Sequence, residues 1–113
     1  MKTEPCKLVT IIAEDEMEQR LVDDLKRLGA TGYTVFDVRG EGSHGPRASK
    51  WEGENIQIET LVDDETADRI LEHVAEHYFE RHGVVLYVTD ADVIRASKYA
   101  GAGRGPREAP RKA

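Results

Sequence analysis

Arg39, Ser43, His44 and Arg47 fall in a stretch punctuated by Gly40, Gly42 and Gly45. Glycine lets backbone N–H groups approach an anion closely, and arginine can clamp a phosphate with two parallel hydrogen bonds. The chemistry suited to this spacing is binding of a small anion. A plain solvated loop can have the same composition, so the spacing alone leaves both readings open. Other clusters say less. His73 and His77 stand four apart, a helical spacing that can chelate a metal ion, but an outer helix face accounts for them more simply. Glu14-Asp15-Glu16 and Asp63-Asp64 suit helix starts, and His82 a helix end. No Ser-His-Asp or Cys-His order stands out. Cys6 is the single cysteine and reads as a small residue at a strand start.

Length and composition bound what these residues can belong to. A chain of 113 residues favours one domain with a modest core, which burial against a partner would help. No apolar run is long enough for a transmembrane helix, and the N-terminus lacks the apolar centre of a signal peptide. One cysteine allows no intrachain disulfide. A cytoplasmic location fits these features. The net charge of −6 argues against nucleic-acid binding. Basic residues nevertheless gather in 39–50 and 95–112, which points to a small anionic ligand.

The elements that would position the loop can be read in order. Residues 7–13 are apolar and β-branched, a strand. Residues 14–28 carry Met17, Leu21, Leu25 and Leu28 at helical spacing, with Gly29 placed to cap the end. Residues 33–38 predict a second strand, 40–54 a long loop broken by glycines, and 55–61 an alternating third strand. Ala67, Ile70, Leu71, Val74 and Tyr78 line a second helix that Gly83 ends, and 84–88 form a fourth strand. The fold class is therefore α+β, a ferredoxin-like βαββαβ unit over residues 1–98. A Gly-, Pro- and Arg-rich tail, residues 99–113, reads as flexible. Two helices cover only one face of four strands, and strands two and four are apolar on both sides. Self-association is the simplest cover for the second face.

One stretch carries a resemblance. Gly29, Thr31, Gly32, Thr34 and Val35, followed by Arg39, Gly40 and Gly42, lie directly before the long loop. This pattern, in this order of elements, resembles the PII signal-transduction family, whose long loop is its T-loop. The Gly42-Ser43 to Arg47 continuation is closest in type to PII-like proteins associated with carboxysomes and bicarbonate transport. The resemblance implies a homotrimer with adenine nucleotides between subunits and a T-loop, about 40–54, that changes shape with the ligand. By position it implies that Thr34 contacts the adenine side. Gly40, Gly42, Ser43 and His44 would line ribose and phosphate, and Arg47 would reach phosphate. Gly83 and Val84 would stand at the neighbouring cleft, with Arg95 as a further phosphate contact.

Departures from the family pattern narrow the expectation. Glu80, Arg81, His82, Gly83 and Val84 hold no phosphate-binding lysine, which favours ADP or AMP, with ATP and cyclic AMP as further candidates. His44 replaces the glutamine tied to 2-oxoglutarate, and the loop has Trp51 but no tyrosine for uridylylation. Bicarbonate is the candidate second ligand, and a transporter or carboxysome-related protein the candidate partner. No cofactor, metal site or catalytic residue is implied. The alternative is a small nucleotide-hydrolysing enzyme on the same fold, with His44 and Glu41 as candidate bases; a third reading is a ligand-free adaptor.

Overall fold

The computed structural model describes residues 1–40 and 54–99. Strand β1 (Glu4–Glu14) leads through a short 3-10 turn (Asp15–Met17) into helix α1 (Glu18–Leu28). Strands β2 (Thr34–Val38) and β3 (Asn55–Val62) follow, then helix α2 (Asp64–Tyr78), strand β4 (Val85–Val93) and a final 3-10 turn (Ala96–Tyr99). The sheet order is β2-β3-β1-β4, and every neighbouring pair is antiparallel. This is the ferredoxin-like arrangement expected from the order of elements.

Alternation in β3 decides which face is buried. Ile56, Ile58, Thr60 and Val62 are buried beside Val9, Ile11 and Ala13 of β1. Leu21 and Leu25 of α1 and Ile70 and Val74 of α2 close over them. Helix α1 ends where Gly29 adopts φ 115°, a left-handed conformation that costs glycine little. The Ala30 N–H then reaches back to the Leu25 carbonyl at 3.0 Å. Helix α2 starts at Asp63, whose side chain accepts the Thr66 N–H at 2.9 Å.

Three elements differ from the sequence reading: α2 ends at Tyr78, five residues before Gly83, and the other two differences come from strand pairing. Glu14 is the last residue of β1, not the first of a helix. Asn55 pairs with it, and the Asp15 N–H donates to the Glu54 carbonyl at 3.0 Å. Strand β4 continues past residue 88 to Val93, because β1 begins at Glu4 and supplies partners down to that level. Lys7 and Asp90, opposite each other, pair at 2.6 Å. Pairing here overrides the weak strand propensity of Asp90 and Asp92.

The second face of the sheet carries Leu8, Ile12 and Leu61 at its centre, with Phe36, Val85 and Tyr87 toward the edges. Phe36, Val85 and Tyr87 are 41%, 47% and 46% exposed. Both helices pack on the opposite face. Among the described residues, no helix is long and apolar enough to cross a membrane.

The two helices meet over a carboxylate. Asp24 lies at an inward position of α1 and is buried. Its Oδ1 accepts both terminal nitrogens of Arg27, at 3.2 and 2.6 Å. Its Oδ2 accepts the Tyr78 hydroxyl and, at 3.0 Å, Nε2 of His73. His73 is thus not an outer-face residue: it closes the seam between helices. His77 is exposed, and its ring stacks on His73 at 4.2 Å with Nδ1 donating to the His73 carbonyl.

Burial, reinforced by the hydrogen bond to Asp24, pushes the Tyr78 hydroxyl up from 10.0 to about 12. The sign follows from proton linkage. Between these two pH values the folded state holds a proton that the unfolded state releases, so stability falls as pH rises from about 10 to 12. Urea unfolding across that range should show the decline, and Tyr78→Phe should flatten it. Equal slopes for both proteins would refute the assignment.

Candidate functional site

The Gly29-to-Gly32 lead-in is held at nearly every residue. Arg69 of α2 donates from Nε and Nη2 to the Leu28 carbonyl, at 3.2 and 3.1 Å. The Thr60 hydroxyl of β3 donates to the Gly32 carbonyl at 2.6 Å. The Thr31 hydroxyl donates to the Lys98 carbonyl at 3.1 Å, across 67 residues of chain. The lead-in is therefore a fixed platform from which β2 starts.

Gly32 and Gly40 bracket β2, and nothing among the described residues requires glycine at either position. Gly29 is the one glycine with positive φ among the described residues. A Cβ built on Gly32 or on Gly40 meets nothing within 4 Å among the described residues. Glycine in or beside a strand costs roughly 0.5–1 kcal/mol relative to alanine. Packing among the described residues gives no return for that cost at either position.

The register sorts the candidate residues into two groups. Val38 pairs with Asn55 at one end of the sheet, and Val85 pairs with Ile12 at the same end. Gly40, Gly83 and Val84 belong to this end, where the Val84 N–H closes on the His82 carbonyl at 3.1 Å. Thr34, exposed and opposite Glu59, starts β2 toward the other end. Arg95, also exposed, follows Val93 there and opens the final turn. Within one protomer Arg95 is thus not brought to Gly40, Gly83 and Val84. Gly42, Ser43, His44 and Arg47 lie outside the described residues, as do Trp51 and the tail from residue 100.

The remaining chemistry is structural. The Cys6 thiol donates to the Val62 carbonyl at 3.1 Å, and burial pushes its pKa up, which disfavours the reactive thiolate. Among the described residues, no three His, Cys, Asp or Glu side chains converge on a metal position. Sequence reasoning missed the contacts of Thr31, Thr60 and Arg69. Only the threonine in the Gly-Xaa-Thr-Gly pattern signalled any of them.

The described residues form a four-stranded ferredoxin-like sheet whose second strand lies between Gly32 and Gly40. The sequence comparisons make this specific. The family model described as nitrogen regulatory protein P-II matches residues 6–98, and the chain belongs to that family. Nitrogen regulatory protein P-II 1 of Methanothermobacter thermautotrophicus is 31% identical over 102 residues, covering 79% of this chain and 86% of that protein. The crystal structure of a PII-like signaling protein from Thermus thermophilus is similar at a TM-score of 0.75 and 48% identity. It covers 88% of this chain and 99% of its own. CPII from Thiomonas intermedia, a nitrogen regulatory PII-like protein solved bound to ADP, AMP and bicarbonate, is similar at 0.73 and 33% identity. That match covers 83% of this chain and all of CPII.

Proposed function

We propose that this protein is a nucleotide-sensing regulator rather than an enzyme. It assembles as a homotrimer through the open sheet face and binds ADP or AMP in the clefts between subunits. The observation that carries the reading is the pair of glycines bracketing β2, each with open space where a side chain would stand. A ligand approaching the backbone at both ends gives those glycines a purpose.

The adenine lies toward Thr34, and the phosphates lie toward Gly40, Gly42, Ser43 and His44, with Arg47 reaching in from the loop. Gly83 and Val84 face the phosphate end. Arg95 sits at the opposite end of its own sheet, so it serves the cleft of a neighbouring subunit. This division of one site between two chains is what makes the trimer part of the reading. Binding shifts the population of conformers of the loop at 40–54, which presents or withdraws a surface for a partner. The binding of ADP, AMP and bicarbonate by CPII supports an inorganic-carbon signal, with bicarbonate as second ligand. A transporter or carboxysome-related protein is then the fitting partner, and the cytoplasm the fitting location.

Isothermal titration of the purified protein with ADP, AMP, ATP and cyclic AMP, each with and without bicarbonate, tests this. The expected result is one nucleotide per subunit, tighter for ADP or AMP, and tightened further by bicarbonate through reciprocal coupling. Absence of heat with all four would refute the nucleotide reading. Sustained multiple-turnover hydrolysis would replace the regulator with an enzyme.

A further inference from the structure

Thr31 has no assigned role, yet its side chain makes the longest-range of the contacts in the lead-in. The last described segment leaves β4 at Val93 on one edge of the sheet. It then passes the foot of β1, where contacts join that strand to the final turn. It ends with the Lys98 carbonyl accepting from Thr31 ahead of β2, the strand at the opposite edge. The segment is therefore a strap across the foot of the sheet, and Thr31 is its far anchor.

The strap needs that anchor. A four-residue 3-10 turn (Ala96–Tyr99) buries no residue of its own. Such a turn has poor hydrogen-bond geometry and little intrinsic stability. Inside it the Lys98 N–H closes on the Arg95 carbonyl at 3.1 Å. Two consecutive hydrogen bonds, Thr31 to Lys98 and Lys98 to Arg95, thus tie Arg95 to the lead-in. The hook itself is rigid, because Ala30 and Gly32 on either side of Thr31 are both held by hydrogen bonds to the body of the protein. The Lys98 ammonium sits 5.7 Å from the Tyr99 ring, so the side chain is engaged locally while the carbonyl carries the link.

We propose that Thr31 is a positioning residue for nucleotide binding, anchoring the Ala96–Tyr99 strap so that Arg95 is presented to the cleft of a neighbouring subunit. This inference rests on the nucleotide-site reading above and adds to it a residue that acts without touching the ligand. Anchored, the arginine is held where it is used. Released, it must be ordered at the moment of binding, and affinity falls by that ordering.

The test uses the full chain with Thr31→Val, which keeps the shape and removes the donor, and Thr31→Ser, which keeps the donor. Thr31→Val should weaken ADP binding about three- to tenfold, the range of one neutral hydrogen bond, and Thr31→Ser should restore it. Arg95→Ala should cost less affinity in the Thr31→Val background than in the wild type, since both act through one group. Trypsin cleavage after Arg95 and Lys98, followed by mass, should run several-fold faster in Thr31→Val without any nucleotide. Unchanged cleavage, or strictly additive affinity losses, would overturn the proposal. A wild type that binds no nucleotide, with cleavage still accelerated by Thr31→Val, would uphold the anchor and overturn the site, so the two failures are distinguishable.

Discussion

Asp24→Ala is expected to lower the stability of the fold by about 3 kcal/mol. The value follows from what the carboxylate leaves behind. Tyr78 is fully buried, and its hydroxyl loses its acceptor. An orphaned buried donor costs roughly 1–3 kcal/mol. His73 is largely buried, with 18% of its side chain exposed, and it too loses its partner. Arg27 is different: its side chain is 58% exposed and returns to water at little cost. Arg27→Ala should therefore cost less than about 1 kcal/mol, and the contrast between the two variants is the check. Urea unfolding at one fixed protein concentration measures both. A loss below about 1 kcal/mol for Asp24→Ala would mean that desolvating the carboxylate cancels what its donors return. Adding Tyr78→Phe to Asp24→Ala should recover part of the loss, because the orphaned hydroxyl is then gone.

This seam also marks where the sequence was legible and where it was not. Leu21 and Leu25 give the buried face of α1 by spacing alone, with Met17 buried in the turn before it and Leu28 packed partly buried at its end. The alternation of Ile56, Ile58, Thr60 and Val62 gives the buried face of β3 equally directly. Local periodicity carries that information, and so the order of elements could be read off. Asp24 sits inside the same stripe, one residue before Leu25, and an acid at an inward position is itself a signal of a buried polar contact. Its partners could not be read, because His73 and Tyr78 are 49 and 54 residues away. The ends of β1 and β4 were out of reach for the same reason. A strand stops where its partner stops, and the partner of Val93 is Glu4. The platform at Gly29 to Gly32 was visible as a pattern of glycine and threonine, but its cause is spread over α2, β3 and the final turn.

Gly40→Val is expected to leave the fold intact and to reduce nucleotide affinity by a hundredfold or more, about 2.7 kcal/mol or greater. Both halves follow from the same open space. A Cβ on Gly40 meets nothing within 4 Å among the described residues, and its φ is not positive, so valine finds neither a clash with them nor a strained backbone. Beside a strand end a β-branched residue is favoured over glycine, and stability should hold or rise by up to about 1 kcal/mol. The side chain must then occupy the volume that the proposed phosphate groups need against the backbone. A backbone N–H that cannot be approached cannot donate, and two methyl groups add steric exclusion to the lost hydrogen bond. Gly32→Ala makes the milder companion, a single methyl at the adenine end, with an expected loss of about tenfold. Thermal unfolding and ADP titration of the two variants separate the possibilities. Intact folding with lost binding places the ligand against β2. Intact folding with unchanged affinity would remove both glycines from the site and with them the observation on which the nucleotide reading stands. Lost trimerisation at normal protomer stability would assign the open space to a neighbouring subunit instead, and make the two glycines part of the assembly rather than of the sensor.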